Sequence, residues 1–505
     1  MKGRSDLISE QDFHLICAAA DSILEQSHQA PEILSFPWLH VLRAHPQYFP
    51  PYEDLSVSDE GSANLFKAIT ANLRMLASIA LSLFGAVMSK KRAGLNEIKS
   101  DRTDVIVISH LLKPDMLSED ADFYFGRLQK TLRENKINVV TAFLNHSETS
   151  TRELSKSLPD NCFFLGSPIS LGQEFTILGM LRKVGPFIKN LSQVSDNICR
   201  SFGEKMCREL FGGALRKNLR LYLQLTNILS SMQPKLLIFT YEGHAWERLA
   251  ILAARTCSPE TRCVGYMHSA LFEYQHAPFR SLGIRCDPDI IAVTGNVPLQ
   301  ILNEKLDNNN WHNVKTIILG SKTSGSTATI KNRKRPSAST CLVIPEGILS
   351  ECSLLFKYTL ECANRYPHIY FIWRLHPLLS YTDVLATDVR FQDLPGNIIL
   401  SESTLAEDIR LSTWVLYRGS TAVFDAVSAG LRPLYLHRLN ELPIDPLYQI
   451  DIWKIKLRTI NDFENVISEP DVISEIVDDE RVRAEKFCQS YRMPLQEQVI
   501  MEELL

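Results

Sequence analysis

Two stretches in the C-terminal half of the chain decide the fold: WRLHP at 373–377 and LYRGSTAVFDAVSAGLRP at 416–433. In each, an apolar run that predicts a β-strand ends at a short polar turn, and a helix is predicted soon after the turn. Where strands run parallel, such turns lie at one edge of the sheet, and their side chains and helix amides can hold an anion. The two stretches therefore predict a parallel sheet with a phosphate-binding edge.

The rest of the chain extends this alternation. From residue 104 to about residue 320, runs such as DVIVIS, KLLIFT and DIIAVTG alternate with helical stretches, and the alternation restarts after a Ser-, Thr-, Gly- and Lys-rich segment. This pattern is typical of parallel sheets covered by helices on both faces. We predict an α/β fold of two doubly wound, Rossmann-like domains that face a cleft. The expected division is 1–100 for an N-terminal helical extension, 101–320 for the first domain, 321–340 for a linker, 341–475 for the second domain and 476–505 for a C-terminal helical segment that could cross back.

Composition limits the class of protein. The 505 residues are 45% hydrophobic and 22% charged, and the net charge is −4, so nucleic acid is not an expected partner. The 11 cysteines form no CxxC pair, and the start MKGRSDLISEQDFH has no apolar signal segment. We therefore expect a reduced, cytoplasmic protein.

One apolar segment bears on membrane association. LASIALSLFGAVM at 76–88 is followed by SKKR, and it is shorter than the roughly 20 residues that span a bilayer. A buried helix is the first interpretation. A helix lying on the inner membrane surface, anchored by Lys90, Lys91 and Arg92, is the second.

The turn after the strand IYFIWR supplies the first candidate ligands. His376 stands before Pro377, which stiffens the turn, and its imidazole could donate to a phosphate oxygen; Arg374 lies in the same junction. In VIPEG, Glu346 and Gly347 end another strand and are candidate contacts to the nucleotide or sugar. A structural turn would explain the same residues.

The next junction adds hydroxyl groups. Ser420 and Thr421 follow Gly419 at a predicted helix N-terminus, where they could cradle phosphate. Helix capping alone would also favour Ser and Thr here. Asp425, one turn later, could reach a ribose hydroxyl or could be solvated.

The first domain offers a candidate base. In LLIFTYEGHAWE, Glu242 and Gly243 follow a strand, and a carboxylate in a partly dehydrated cleft is expected to have a raised pKa suited to accepting a proton. His268 and His110 also follow strands and could contact an acceptor or a sugar, although lone histidines are more often structural. Glu247, on the following helix, is expected to be solvated or ion-paired.

No metal or other cofactor is expected. Asp287 and Asp289 form an Asp-x-Asp pair of the kind that holds a divalent ion. They precede a predicted strand and so lie at the edge of the sheet opposite to the expected site.

Taken together, these motifs resemble a known group of enzymes. An acid-Gly motif followed by His-Pro and Ser-Thr motifs is similar to bacterial sialyltransferases and related CMP-sugar-using (sialyl- or Kdo-type) transferases of the GT-B fold. More broadly, TYEGHAWERL, VGYMHS, WRLHP and YRGSTAVFDAVSAGLRP resemble bacterial capsule and lipopolysaccharide biosynthesis proteins, over roughly residues 104–460. The family motif has a second acid where this chain has Tyr241.

The resemblance implies a glycosyltransferase, and the position of the Asp-x-Asp pair predicts that it needs no metal. Its first domain would bind a surface-glycan acceptor and its second a nucleotide-sugar donor, with CMP favoured. Carried over, Glu242 would be the general base, and His376 with Ser420 and Thr421 would hold the donor phosphate. The expected partners are the donor and the glycan acceptor, and the second interpretation of the segment at 76–88 adds the inner-membrane surface.

Other functions stay open at this point. A CDP-alditol phosphotransferase would use a similar phosphate cradle, and a sugar-nucleotide epimerase could share the two-unit architecture. A non-catalytic nucleotide-sugar-binding or scaffold protein in polysaccharide assembly would keep the fold without turnover.

Overall fold

The computed structural model describes residues 9–45, 79–80, 83–84, 102–117, 121–159, 161–166, 169–322, 339–439, 441–468 and 475–504. Most of the apolar segment at 76–88 and of the predicted linker at 321–340 lies outside these residues. Among the described helices, none is long and apolar enough to cross a membrane.

The first sheet has seven parallel strands. They are β1 (Val105–Leu111), β2 (Val139–Asn145), β3 (Cys162–Leu165), β4 (Leu236–Thr240), β5 (Arg262–Met267), β6 (Ile290–Val293) and β7 (Lys315–Ile318). Their order across the sheet is β3-β2-β1-β4-β5-β6-β7. Strands β1 and β4 are almost wholly buried, as expected for a sheet covered on both faces.

The second sheet repeats this order with six parallel strands. They are β8 (Thr340–Ile344), β9 (Tyr370–Trp373), β10 (Ile398–Leu400), β11 (Trp414–Tyr417), β12 (Arg432–Leu436) and β13 (Ile455–Leu457), arranged β10-β9-β8-β11-β12-β13. In each sheet the first strand lies in the interior: the next two strands of the chain are added on one side of it, and the remaining strands are added on the other side. A crevice therefore opens between β1 and β4 and between β8 and β11. Ligands of doubly wound folds bind at such points. The predicted fold class of two Rossmann-like units is confirmed by this topology.

Helices cover both sheets. In chain order they are α1 (Glu10–Gln26), α2 (Pro31–Leu34), α3 (Leu128–Glu134), α4 (Thr151–Leu154), α5 (Leu171–Leu191), α6 (Asn197–Glu209), α7 (Gly213–Met232), α8 (Ala245–Cys257), α9 (Asn296–Asn308), α10 (Leu349–Arg365), α11 (Tyr381–Leu385), α12 (Leu405–Leu411), α13 (Val423–Ser428), α14 (Ile460–Ser468), α15 (Glu475–Tyr491) and α16 (Glu497–Leu504). Residues 79–80 and 83–84 are also helical.

The N-terminal helices belong to the first unit. Side chains of α1 and α2 share one apolar core with α5, α6 and α7 and with Leu249 and Leu252 of α8. Asp21 of α1 accepts hydrogen bonds from His276 at 2.8 Å and from Arg280 at 2.5 Å. These contacts fix the start of the chain against the loop that follows β5.

The C-terminal helices link the two units. Helix α15 contacts α13 of the second unit and α9 of the first, and α16 contacts α3. The Tyr491 hydroxyl accepts from the Leu271 amide at 2.8 Å, and the Ser321 amide donates to the Met493 carbonyl at 2.7 Å. The end of the chain therefore packs back onto the first sheet.

Substitution of Gly320 tests the packing of the C-terminal segment on the first sheet. Its φ is +85°, and a Cβ there would collide with the backbone of Pro494. Gly283 has a similar φ of +81°, but its Cβ would meet no atom within 4 Å. We expect Gly283→Ala to cost about 1 kcal/mol of stability from backbone strain and Gly320→Ala to cost about 3 kcal/mol, because strain and collision add. Thermal unfolding of both variants measures the difference, and equal shifts would contradict the packing of the C-terminal segment.

Candidate functional site

Two loops of the second sheet meet at its crevice. Glu346 and Gly347 follow β8, Gly419 and Ser420 follow β11, and a Cβ on Gly419 would collide with the Glu346 carboxylate. Glycine is therefore needed at 419 for the two loops to approach each other.

His376 joins the same group. A Cβ built on Gly347 would lie 2.7 Å from His376 Nδ1. The Leu378 amide donates to this Nδ1 at 3.2 Å, so in a neutral ring the proton sits on Nε2. Burial lowers the pKa of His376, and the nearby Glu346 opposes this shift only in part. The side chain is thus a neutral hydrogen-bond donor through Nε2.

The Ser420 and Thr421 hydroxyls do not cap a helix. Helix α13 begins at Val423, and its N-cap residue is Ala422, which makes no side-chain hydrogen bond. Ser420 is 6% exposed. The capping explanation for this Ser-Thr pair is therefore wrong, and the two hydroxyls stand in the loop that leads out of β11.

The buried Arg418 side chain fixes the start of that loop. Its guanidinium donates to Glu351 and Glu441, each at 2.6 Å, and to the Leu436 carbonyl at 3.1 Å. The side chain is 1% exposed. Such a buried, fully paired cation holds the end of β11 in one position.

Two predicted ligands are engaged elsewhere. Arg374 donates to Asp408 at 2.8 Å and to the Ser403 carbonyl at 2.7 Å, so its charge serves the adjacent α12 loop. Asp425 pairs with Arg492 at 3.1 Å, next to α15. Pro377 is exposed and acts only through the turn.

In the first sheet, Glu247 shapes the loop that carries Glu242. Its Oε2 accepts from the amides of Glu242 at 2.9 Å, Gly243 at 2.7 Å and His244 at 2.8 Å. Glu247 is 1% exposed, so the expectation of a solvated or ion-paired side chain is wrong. Gly243 has a φ of +83°, and a Cβ there would collide with the backbone of Ala277.

The Glu242 carboxylate lies among histidines. His244 Nε2 donates to Glu242 Oε2 at 3.2 Å, and the Glu242 side chain is 29% exposed. Burial raises the pKa of Glu242, but the His244 hydrogen bond and the charges of His268 and His244 outweigh burial and lower it overall. The expectation of a raised pKa is therefore wrong, because it took account of dehydration in the cleft but not of these two histidines. Glu242 is ionised at neutral pH.

His110 and His268 lie at the same edge. His110 Nε2 is 2.8 Å from the Thr240 hydroxyl, and its Nδ1 is 2.9 Å from His146 Nε2. Burial, followed by the charge of His146, lowers the pKa of His110 to about 3. His268 Nδ1 is buried with no hydrogen-bond partner among the described residues. His110 therefore lies at the crevice between β1 and β4, and His268 directly follows β5.

A cavity of about 240 Å³ opens beside His110. Phe123 and Phe143 contribute apolar surface, and Lys130 and Arg133 of α3 contribute positive charge. Phe123 is 48% exposed. The cavity suits a ligand that has both apolar and polar parts.

The N-terminal segment 41–45 connects the two sites. It runs antiparallel to 274–277: the Ala277 amide donates to Val41 at 2.8 Å, and the Ala44 amide donates to Tyr274 at 2.8 Å. Ala277 in turn packs on Gly243. From the other end of the segment, Arg43 and His45 donate to Glu346 at 3.2 and 3.3 Å.

Arg43, His45, His146 and His244 are site residues that the sequence interpretation missed. The first two lie in HVLRAHP at 40–46, a stretch that reads only as a Pro-bounded break between helices. The two histidines and one arginine within seven residues could have indicated a functional segment, but their spacing matches no known motif.

The Asp-x-Asp pair has a structural role. Asp287 pairs with Arg248 at 2.5 Å, and Asp289 pairs with Arg255 at 2.8 Å. Across the described part of the chain, no group of three or more His, Cys, Asp or Glu side chains could hold a metal ion.

Known proteins resemble this chain only distantly. No family model and no curated protein matches the sequence. Similar solved structures include the glycotransferase of kitacinnamycin (10% identity, TM-score 0.47, 80% of this chain and 99% of that chain), MurG of Acinetobacter baumannii (10%, 0.44, 80% and 99%) and UDP-GlcNAc 2-epimerase from Neisseria meningitidis bound to UDP-GlcNAc (14%, 0.42, 79% and 99%). At such identities and TM-scores the likeness says nothing about activity.

The amide clamp of Glu247 can be tested by substitution. Glu247→Ala leaves three largely buried amides without their acceptor, and we expect a loss of about 3 kcal/mol in the free energy of unfolding. Glu247→Gln keeps one acceptor oxygen and should lose much less. Denaturant unfolding of both variants measures this, and similar losses would show that the oxygen is not the important contact.

The same carboxyl predicts a pH dependence. Burial raises the pKa of Glu247 from 4.5 to about 7 in the folded protein. Because the folded state then binds the proton more tightly than the unfolded state, stability from this group is complete below pH 4.5 and is lost as the pH rises to 7. Wild type should therefore lose stability relative to Glu247→Gln over this interval. Parallel pH profiles would contradict the shift.

Proposed function

We propose that the protein is a glycosyltransferase that moves a sugar from a nucleotide-sugar donor to a hydroxyl acceptor. The observation that carries this is the convergence of His376 and the Ser420 loop on Glu346 and Gly347 at the crevice of the second sheet. A neutral imidazole donor and a loop that carries two hydroxyls, both beside Glu346 and Gly347, suit the oxygens of a donor phosphate.

Charge at this point is compatible with an anion. Burial raises the pKa of Glu346, but the His45 hydrogen bond and the Arg43 charge outweigh burial and keep the carboxylate ionised. Since Arg43 and His45 both pair with it, the carboxylate does not present an uncompensated negative charge to a phosphate.

In the proposed reaction the acceptor oxygen attacks the anomeric carbon and its proton passes to Glu242. The bond between that carbon and the phosphate oxygen breaks, and negative charge builds on the leaving nucleotide. His376 Nε2–H and the Ser420 and Thr421 hydroxyls would stabilise this charge. The cavity beside His110 is the proposed place for part of the acceptor, with His268 close to the sugar.

The finer assignments come from the sequence alone. These are a CMP-linked donor, a bacterial surface glycan as acceptor, action in the cytoplasm at the inner-membrane surface, and independence of metal. The phosphotransferase and epimerase alternatives are separated by product analysis, because an epimerase leaves the sugar on its nucleotide and a phosphotransferase moves phosphate with the alditol. A scaffold would give no product.

Donor binding is tested first with His376. Wild type should be stabilised in a thermal-shift screen by one of CMP, CDP, UDP or GDP. His376→Ala should weaken binding of that nucleotide by roughly 10- to 100-fold, because this is the contribution of one hydrogen bond to a charged group. His368, exposed just before the start of β9, provides the control His368→Ala, which should bind as wild type. Stabilisation by none of the four nucleotides would overturn the proposal.

The base is tested by Glu242→Gln. Turnover should fall by roughly 100-fold or more while donor affinity stays within about twofold. Glu260→Gln, an exposed acid before β5, is the control. Because the pKa of Glu242 is lowered, kcat/KM should show no loss between pH 8 and pH 5 attributable to this group. Full turnover by Glu242→Gln would remove Glu242 from the mechanism.

A further inference from the structure

The position of Glu346 creates an electrostatic problem for the proposed donor site. Its carboxylate packs directly on Gly419, and Ser420 is the next residue. The Glu346 side chain is 8% exposed, so water screens its charge only weakly. An unpaired carboxylate in this place would repel a phosphate.

The two partners of Glu346 come from far away in the sequence. Arg43 Nη2 lies 3.2 Å from Glu346 Oε2, and His45 Nε2 lies 3.3 Å from Oε1. Each carboxylate oxygen thus has its own donor, and the His45 side chain is fully buried.

The segment that carries Arg43 and His45 is held rigidly. The Arg43 guanidinium stacks over the Phe272 ring at 4.1 Å, and the backbone of 41–44 bonds to 274–277. Just upstream, His40 Nδ1 accepts from Arg280 at 2.9 Å, and His40 Nε2 lies 2.8 Å from the Leu34 carbonyl. Arg43 and His45 are therefore in place before a ligand arrives.

We propose that Arg43 and His45 are positioning residues of the donor site, which cancel and orient the Glu346 carboxylate so that a donor phosphate can bind beside it. The donor site is then complete only when the N-terminal segment is docked between the two sheets. This inference rests on the proposed function.

A double-mutant cycle tests the inference. Four proteins are compared, namely wild type, Arg43→Gln, Glu346→Gln and the double variant, by calorimetric binding of the nucleotide found in the screen and of its phosphate-free nucleoside. We expect Arg43→Gln to weaken binding of the nucleotide about tenfold and binding of the nucleoside less than twofold. Only the nucleotide has a phosphate, which the Glu346 carboxylate repels once Arg43 no longer pairs with it. In the Glu346→Gln background the same substitution should lower nucleotide affinity by less than twofold.

Controls address folding. Arg365→Gln breaks an exposed pair with Glu464 and should bind the nucleotide as wild type does, and Arg43→Lys should recover most of the affinity. A variant that merely loosened the fold would weaken nucleotide and nucleoside alike.

Each outcome has a distinct meaning. Suppose that wild type binds the nucleotide. If Arg43→Gln then lowers nucleotide affinity equally in the wild-type and Glu346→Gln backgrounds, or lowers nucleoside affinity as much as nucleotide affinity, the inference is overturned and the proposed function stands. If wild type binds no nucleotide, both are overturned.

Discussion

The ionised Glu346 carboxylate is the constraint on which the arrangement of the site depends. A buried charge is tolerated only when it is paired and hydrogen-bonded, and both partners of this one come from segment 41–45 of the first unit. That segment is itself bonded to the loop at 274–277, which packs on Gly243. Pairing one carboxylate thus relates the crevice of the second sheet to the loop that carries Glu242. The C-terminal helix α15 supports the same arrangement through Tyr491 and Arg492.

Much of the fold could be predicted from sequence because its signals are local. Apolar runs, turn residues and helical stretches alternate along the chain, and they placed Glu242, Glu346, His376 and Ser420 at strand ends. The role of the N-terminal region could not be predicted, because it depends on contacts between residues about 300 positions apart. Nothing in the local pattern of HVLRAHP says that Arg43 meets Glu346.

The candidate site was predicted less completely than the fold. Whether a strand-end side chain faces the crevice depends on competing partners: Asp408 takes Arg374, and Arg492 takes Asp425. Charge states depend on neighbours as well. The pKa of Glu242 is lowered because His244 and His268 lie beside it, whereas Glu247, five residues later, has a raised pKa because burial dominates. Residue type alone does not separate these two acids.

The ionised state of Glu242 has a consequence for the proposed mechanism. A carboxylate stabilised in its charged form does not remove a proton from a ground-state hydroxyl, so proton transfer has to accompany formation of the new bond, when the attacking oxygen becomes acidic. The rate then depends on how well the departing phosphate is stabilised at that moment. That task falls to the second sheet, where His376 is a neutral donor and the charge of Glu346 is already cancelled. In the proposed mechanism the two crevices therefore depend on each other, and the N-terminal segment that contacts both serves to position Glu346.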